Sequence, residues 1–155
     1  MKDAGIIESK IADRLCTENL GTEQFRVGRI WFCFFPPLRG GQSGIERFFR
    51  FWGGEALYGL HEIDPETGPI LRRVVVPCVI EADVPVVALR KHSFLPMKIA
   101  RKFPIERGFE TGEPTEHEDP ALAPIPAANI RRIIRYPDQE FCALTGCLTW
   151  KTPLA

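Results

Sequence analysis

The first hydrophobic pattern of the chain predicts an amphipathic helix near its start. Ile7, Ile11 and Leu15 recur at intervals of four residues, and the positions between them carry Glu8, Lys10, Asp13 and Arg14. Apolar residues at this spacing line one face of an α-helix and leave the charged residues on the other face. We therefore expect about three turns of helix, packed on the rest of the molecule through the isoleucine and leucine side chains.

A second helix is predicted in the middle of an aromatic segment. Ile45, Phe48, Phe49 and Trp52 recur at helical intervals. Ser43 before them is a typical N-cap residue, and Glu46 three residues later completes a capping box. Gly53 and Gly54 follow, and glycine commonly ends a helix.

Most of the remaining apolar runs are typical of strands, because they are rich in valine, isoleucine and aromatic residues. Residues 26–35 predict a buried strand that Pro36 and Pro37 end, and residues 94–103 predict one more short helix. The acidic, proline-rich residues 106–126 predict a long surface loop. Further strands are expected at residues 56–63, 73–80, 84–89, 130–136 and 140–144.

This order of elements predicts a single α+β domain, in which N-terminal helices are followed by a mixed, largely antiparallel sheet. The length of 155 residues agrees with one domain, residues 1–155, that buries a hydrophobic core. No internal repeat and no second domain are evident in the pattern.

Charge and hydropathy narrow the expected partners and location. Lysine plus arginine and aspartate plus glutamate both number 20, so the chain has no basic excess. A general nucleic-acid binder or a protein attracted to an anionic membrane normally has such an excess. No apolar run approaches the ~20 residues of a spanning helix, and the first residues do not resemble a signal peptide. We expect a cytoplasmic protein that does not bind membranes.

The five cysteines and three histidines do not predict a metal site. Only Cys142 and Cys147 are close in sequence, and no second pair accompanies them as in structural zinc sites. Cys33 and Cys78 lie in apolar segments, where burial raises the pKa of a thiol and opposes its use as a nucleophile.

The segment from Trp52 to Glu62 is the most unusual in the chain. Two glycines follow a row of aromatic residues, and Glu55, Tyr58 and His61 come directly after them. If residues 56–63 form a strand, Glu55 and His61 share one of its faces, and Tyr58 lies on the other. An aromatic-walled pocket beside a carboxylate suits an aromatic, cationic or sugar-bearing ligand. The alternative is that the aromatic residues fill the core and Gly53-Gly54 only ends a helix.

Two further residues have the chemistry of a binding or catalytic site. Arg29 flanks the predicted strand at residues 26–35, where its guanidinium is suited to hold a phosphate or carboxylate by two hydrogen bonds. A solvated arginine at a sheet edge is the alternative. Glu140 precedes an apolar run and is a second candidate carboxylate beside Glu55, or else an ordinary charge at a strand start.

The order of the aromatic strand RIWFCFF, the segment WGGEALYGLHE and the late segment PIPAANIRRIIRYPDQEF resembles the ADP-ribosyltransferase-like superfamily, in particular its small bacterial and phage-associated members. The resemblance implies NAD as a substrate, bound in a cleft between two sheets. It assigns the grip on NAD to Arg29, ring stacking to Trp52 or Tyr58, and catalysis to Glu140, with Glu55 as the second candidate. Gly53, Gly54 and His61 complete the implied NAD-binding set.

Two functions follow as hypotheses. The first is an NAD-dependent ADP-ribosyltransferase-like enzyme that modifies a protein or a nucleic acid. The second is a non-enzymatic interaction module, of the inhibitor or immunity type, that uses the WGGE segment as its contact surface. Polar groups that converge on an aromatic cleft favour the enzyme, whereas an exposed aromatic patch favours the interaction module. The oligomeric state is left open by the sequence.

Overall fold

The computed structural model describes residues 6–74, 76–110, 112 and 116–154. In that part of the chain, 47% of residues are helical and 14% are in strands, which confirms the predicted α+β class. The α-helices are α1 (Ser9–Thr17), α2 (Gln42–Arg50), α3 (Glu55–His61), α4 (Thr67–Arg73), α5 (Leu95–Ile105) and α6 (Gln139–Thr145). The strands are β1 (Ile30–Cys33), β2 (Cys78–Ala82), β3 (Glu118–Ala121) and β4 (Ile130–Arg135).

The four strands form two separate antiparallel pairs. Strand β1 pairs with β3, and Ile30 lies opposite Ala121. Strand β2 pairs with β4, and Cys78 lies opposite Arg135, with an irregularity in register at Glu81 and Ala82. Leu89 also bridges to Ala121, so the backbone after β2 lies along the second edge of β3.

Two hydrophobic clusters form the core, and helix α2 contributes to both of them through its last turn and C-cap. Phe49 belongs to the second cluster, whereas Phe51, directly after α2, belongs to the first. The first cluster joins α1, α3 and α4 through Ile7, Ile11, Leu15, Phe51, Leu57, Tyr58 and Leu71. The second joins α2, β4, α6 and the C-terminal segment through Phe49, Ile134, Phe141, Cys147, Trp150 and Leu154.

Several elements follow the hydrophobic pattern. Helix α1 buries Ile11 and Leu15, as the spacing of four predicts. Strand β4 and helix α5 lie where a strand and a short helix are expected. Pro77 directly precedes β2, which is the position at a strand start that its missing N–H predicts.

Two predicted strands are helices in the structure. Residues 56–63 form most of α3, whose buried residues Leu57, Tyr58 and His61 follow a helical spacing. Residues 140–144 lie inside α6, which buries Phe141 and Thr145 at an interval of four. Both apolar runs are short, and over so few residues the helical and strand patterns place apolar residues at overlapping positions. The prediction that Glu55 and His61 share a strand face is therefore wrong.

The boundaries of α2 also differ from the prediction. Gly41 is its N-cap, so Ser43 lies inside the first turn and the predicted capping box is wrong. The helix ends at Arg50, before Gly53 and Gly54, and these two glycines form the bend that leads into α3. Of the described residues between 73 and 80, only the last three belong to a strand, and residues 84–89 contain a 3-10 turn at Val86–Ala88.

In the sheet formed by β1 and β3, the exposed and the buried segment are the reverse of the prediction. Residues 26–35 contain β1, but most of its residues are exposed. The predicted surface loop at residues 106–126 contains β3, in which Asp119, Pro120 and Ala121 are buried. Strand β3 lies between β1 and the backbone around Leu89, so it is the central element although its composition is polar. No helix among the described residues is long and apolar enough to span a membrane.

Candidate functional site

The bend between α2 and α3 requires glycine at two successive positions. Gly53 and Gly54 have φ values of 82° and 56°, in the left-handed region that side chains disfavour. A Cβ added at Gly53 would lie 2.4 Å from Leu57 Cδ1, and one added at Gly54 would lie 2.9 Å from Phe48 Cε2. The bend therefore holds the Phe48 ring directly against the backbone and begins α3 at Glu55.

The aromatic residues around the bend divide into a buried and an exposed set. Phe51 and Tyr58 are buried and face each other with their ring centroids 6.3 Å apart. Phe48 and Trp52 are 53% and 39% exposed. The Trp52 backbone N–H donates to the Leu71 carbonyl at 3.0 Å, so the exposed tryptophan is fixed to the end of α4. The sequence left open whether these aromatics are core or surface, and both alternatives occur.

A charged pair borders this aromatic surface. Arg26 Nη1 donates to Glu55 Oε2 at 2.9 Å, and Arg26 Nε donates to Glu23 Oε2 at 2.8 Å. The hydrogen bond from Arg26 holds the pKa of Glu55 below its usual value, with a smaller contribution from the positive charge of Arg47. Glu55 therefore carries a negative charge near neutral pH and stands at the exposed start of α3.

A second charged pair covers Tyr58. The Arg47 guanidinium lies 4.4 Å from the centre of the Tyr58 ring, and Arg47 Nε donates to Glu62 Oε2 at 2.6 Å. Burial raises the pKa of the Tyr58 phenol, and the negative charges of Glu55 and Glu62 add to this rise. Tyr58 is therefore a packed, neutral ring below an arginine rather than an open stacking platform.

His61 has a structural environment. Its side chain is fully buried, with Nδ1 3.0 Å from the Thr67 hydroxyl and Nε2 2.6 Å from the Glu18 carbonyl. A carbonyl oxygen only accepts, so Nε2 carries the hydrogen, and in the neutral ring Nδ1 accepts from Thr67. His61 thus connects the end of α1, the end of α3 and the start of α4, and both ring nitrogens are occupied.

The other two predicted site residues make their contacts elsewhere. Arg29 Nη1 donates to the Phe25 carbonyl at 3.1 Å within its own turn. Glu140 lies in the first turn of α6, where its Oε1 is 2.6 Å from Arg132 Nη1 on β4. Arg132 also binds both carboxylate oxygens of Glu81 on β2. Glu140 thus belongs to an ion-pair network on the β2–β4 sheet and not to the bend.

Two cavities of the described structure lie away from the bend. One of about 220 Å³ is formed by residues of α2, α6 and the turns beside them, including Leu38, Ile45 and Trp150. The other, of about 640 Å³, is lined by residues of α1 and α4 and by the residues that flank these helices, including Ile7, Ile11 and Ile70. Neither is lined by Trp52, Glu55 or Glu140.

The segment around β3 contains a buried pair that the sequence analysis assigned to a solvated loop. His117 Nε2 lies 3.5 Å from Asp119 Oδ2, which accepts a hydrogen bond from the Lys91 backbone N–H at 2.6 Å. His117 Nε2 and Asp119 Oδ1 have no hydrogen-bond partner among the described residues. No group of three or more His, Cys, Asp or Glu residues in the described ranges is arranged to hold a metal ion.

The thiol of Cys33 follows the predicted direction. Cys33 is an exposed residue, but partial desolvation of its sulfur and the nearby Glu118 carboxylate raise the pKa of the thiol to about 11. Its Sγ lies 3.8 Å from Glu118 Oε1. The thiol is therefore protonated at neutral pH, which opposes a role as a nucleophile.

The structure brings together four of the predicted site residues, Trp52, Gly53, Gly54 and Glu55, as one accessible group. The sequence did not indicate Arg47 as a site residue. It also did not indicate that Arg26 pairs with Glu55. Arg47 contacts Tyr58, which is 11 positions later, through the packing of α2 on α3, and no local pattern indicates such a contact.

No protein-family model, curated protein or solved structure matches the chain.

Proposed function

We propose that the protein is an interaction module that binds a partner protein through the surface at the α2–α3 bend. We call this surface the bend surface and define it by Phe48, Trp52, Gly53, Gly54 and Glu55. The single observation that carries the proposal is the exposure of Phe48 and Trp52 at a bend that two positive-φ glycines permit and that the hydrogen bond from Trp52 N–H to the Leu71 carbonyl holds in place. Exposed tryptophan on a rigid backbone is typical of residues that dominate protein binding energies.

The surroundings of the bend surface agree with the anatomy of protein interfaces. Apolar aromatic residues lie at the centre, and the ion pairs Arg26–Glu55 and Arg47–Glu62 lie beside them. Interfaces commonly combine an aromatic centre with a polar rim, and arginine is enriched in them. These charged side chains are already paired. Binding would therefore cause little further loss of their conformational entropy.

The accessible groups favour a binding surface over a catalytic cleft. Tyr58 and His61 are buried. The Glu55 and Glu62 carboxylates each accept a hydrogen bond from an arginine. Catalytic sites in proteins usually lie in concave pockets with several convergent polar groups. The two cavities described above lie elsewhere.

The decisive experiment compares the interactions of the wild type with those of Trp52→Ala and of Ile63→Ala. Ile63 is 91% exposed two residues after α3, so its replacement controls for loss of an exposed apolar side chain. A photoreactive phenylalanine analogue at position 52 should crosslink to one protein from extracts of the source cells, and the same analogue at position 63 should not. With that protein purified, Trp52→Ala should weaken binding by about 10-fold or more in calorimetry.

Two results would contradict the proposal. One is equal crosslinking from positions 52 and 63, which would indicate non-specific contact. The other is an unchanged Kd of Trp52→Ala for the purified partner. The unfolding transition of Trp52→Ala must stay close to that of the wild type, so that a loss of binding is not a loss of folding.

The ADP-ribosyltransferase-like enzyme is the second candidate. The observation in its favour is the Glu55 carboxylate, which Arg26 keeps ionised three residues after the exposed Trp52. A carboxylate in such a place is suited to stabilise developing positive charge on a sugar. Arg29, His61 and Glu140 make their contacts with other residues than Glu55. We therefore assign the contact with NAD to Trp52, Gly53, Gly54 and Glu55.

NAD binding tests this second candidate directly. Millimolar NAD should raise the unfolding temperature if it binds the folded protein only. Glu55→Gln should then abolish transfer but retain NAD binding, whereas Glu140→Gln should leave both unchanged. Absence of any thermal or calorimetric response to NAD would reject the enzyme and leave the interaction module.

A further inference from the structure

The C-terminal end of α6 brings two cysteines together. Gly146 follows the helix with a φ of 69°, in the left-handed region, and its N–H donates to the Cys142 carbonyl at 2.9 Å. A left-handed residue at this position reverses the chain, and the residue after it commonly contacts the residue whose carbonyl accepts that bond. These two residues are Cys147 and Cys142. Their spacing of five positions therefore follows from the way in which α6 ends.

The two thiols contact each other in the structure. The side chains of Cys142 and Cys147 share a hydrogen bond, and Cys142 packs against the hydrophobic cluster to which Cys147 belongs. The Cys147 backbone N–H donates to the Thr145 hydroxyl at 3.3 Å, which holds the start of the 3-10 turn Cys147–Thr149 beside the helix. Both cysteines are free thiols.

The two thiols differ in their access to solvent. Cys142 is partly exposed, whereas only 6% of Cys147 is exposed. A reagent in solution therefore reaches Cys142 first, and Cys147 lies next to it as a second thiol. An accessible thiol beside a second thiol that can resolve its first oxidation product is a common arrangement in reversible redox sites.

We propose that Cys142 and Cys147 form a redox switch, in which a reversible disulfide joins the last turn of α6 to the turn that leads to Trp150. Trp150 belongs to the second hydrophobic cluster and, with Thr145 and Gly146, lines the cavity of about 220 Å³. The disulfide closes a ring over residues 142–147 and so fixes this wall of the cavity. A function of the bend surface is not required for this switch.

The oxidant for this step is a small disulfide such as glutathione disulfide. The Cys142 thiol loses its proton to water, and its sulfur attacks one sulfur of the small disulfide, whose S–S bond breaks. One small thiolate leaves and takes up a proton. The Cys147 thiol then loses its proton, attacks the Cys142 sulfur and releases the second small thiol. In total the two protein thiols lose two electrons and two protons, which convert the small disulfide into two thiols.

The environment of Cys142 determines the pH dependence of this reaction. The hydrogen bond with Cys147 raises the pKa of the Cys142 thiol, with smaller contributions from desolvation and from the negative charge of Asp138. Because the thiolate is the attacking form, closure should be slow at neutral pH and should accelerate about 10-fold per pH unit below that pKa. The switch is therefore suited to a slow response to sustained oxidation.

Mass spectrometry after incubation with mixtures of reduced and oxidised glutathione tests the switch. Trypsin cleaves after Arg135 and Lys151, so one peptide, residues 136–151, contains Cys142 and Cys147 and none of the other cysteines. After acid quenching and alkylation, this peptide should carry an internal disulfide in the oxidising mixtures. It should return to two free thiols when dithiothreitol is added.

Serine variants test the role of each thiol. In Cys147→Ser, Cys142 should stop at the mixed disulfide with glutathione, because the second thiol is absent. In Cys142→Ser, the buried Cys147 should react more slowly than Cys142 does in the wild type. Cys16→Ser removes an exposed cysteine outside the pair and should leave closure unchanged. Circular dichroism of each reduced variant checks that it is folded.

Comparison of the folded and the unfolded chain tests whether the fold prepares the pair. The equilibrium constant for closure against glutathione should be at least about 10-fold larger in the folded protein than in concentrated urea. By the same linkage, the disulfide form should unfold at a temperature about 5 °C higher than the dithiol form. Cys142→Ser should not show this dependence on the oxidant.

Three results would overturn the proposal. The first is an open 136–151 peptide in mixtures that attach glutathione to Cys16 and Cys33. The second is an equilibrium constant for closure that is no larger in the folded than in the unfolded chain. The third is a disulfide form that unfolds at a lower temperature than the dithiol form, because the bond would then distort the end of α6.

Discussion

At the α2–α3 bend, the backbone of Gly53 has a φ of 82° and lies against Leu57. Both features oppose any side chain at this position, because one disfavours the backbone conformation and the other leaves no space for a Cβ. Gly44, inside α2, has neither restriction, and a Cβ added there would meet no atom within 4 Å. The two glycines therefore differ in what they contribute to the fold.

Alanine substitutions should separate these two glycines by the sign of their effect. Gly53→Ala should lower the free energy of unfolding by about 2 kcal/mol or more, through backbone strain and contact with Leu57. Gly44→Ala should raise it by about 0.5–1 kcal/mol, because alanine favours the helix. Urea denaturation of both variants measures the difference. Equal effects of the same sign would contradict the conformation assigned to the bend.

His61 also has a role at the scale of a single residue that its sequence context does not indicate. The sequence shows a histidine near a carboxylate and a tyrosine, which is a common composition for a binding site. In the structure its partners are the Glu18 carbonyl, which is 43 positions away, and the Thr67 hydroxyl. A main-chain carbonyl leaves no mark in a sequence, so this contact is decided by folding alone.

At the scale of elements, α2 holds the two hydrophobic clusters together, and α6 forms the centre of the second one. Phe141 of α6 is fully buried, and its ring contacts Phe49 and Tyr136 with centroid separations of 5.2 Å and 5.9 Å. Both contacts have the edge-to-face geometry that aromatic pairs favour. This packing connects α6 to α2 and to the end of β4.

Removal of the Phe141 ring should therefore weaken the second cluster strongly. Phe141→Ala should lower the free energy of unfolding by about 3–5 kcal/mol, because it leaves a cavity beside Phe49. Phe109→Ala removes the same ring from a site that is 66% exposed, and we expect a change of less than about 0.5 kcal/mol. Thermal unfolding followed by circular dichroism would compare the two. A small effect of Phe141→Ala would show that α6 is not part of the core.

At the scale of the whole molecule, the balanced charges form pairs that connect distant parts of the chain. Arg14 Nη2 donates to Asp64 Oδ2 at 2.6 Å, and the Asp64 carboxylate also accepts from the backbone N–H groups of Glu66 and Thr67. Hydrogen bonds from Arg14 hold the pKa of Asp64 well below its usual value. Those from Arg26 and Arg132 lower the pKa values of Glu55 and Glu81.

These lowered pKa values determine the direction of the pH dependence. In the folded protein the three carboxylates stay ionised to lower pH than in the unfolded chain, so the unfolded chain binds protons first. Their contribution to stability should be complete above the usual carboxyl pKa of about 4 and should be lost as the pH falls through the lowered values. The urea midpoint should accordingly decrease between neutral and strongly acidic pH.

The substitution Asp64→Asn tests this explanation. It should reduce the midpoint at neutral pH and make the remaining midpoint less sensitive to acid. Glu110→Gln removes the same charge from an exposed position and should retain the acid sensitivity of the wild type. If both variants kept that sensitivity, the pairing of Asp64 with Arg14 would not be its source.

The sequence predicted those elements whose pattern is long or chemically uniform. The α+β class, helix α1 and strand β4 followed from repeated apolar spacing and β-branched residues. It was less informative for α3 and α6, because seven residues carry too few turns to separate a helical from an alternating pattern. It selected Trp52, Gly53, Gly54 and Glu55 at the bend, but not Arg47, which reaches Tyr58 only when α2 packs on α3.

By itself, the amino-acid sequence determined the local properties of this protein, namely the class of fold, the glycine bend and the overall charge balance. Each of these depends on neighbouring residues or on composition. The tertiary structure decided which aromatic rings are exposed, that β3 is buried, that both ring nitrogens of His61 are occupied, and that Ile99 and Phe103 of α5 are exposed. These depend on which distant segments cover a residue, and burial is a property of the packed chain that no short stretch of sequence contains.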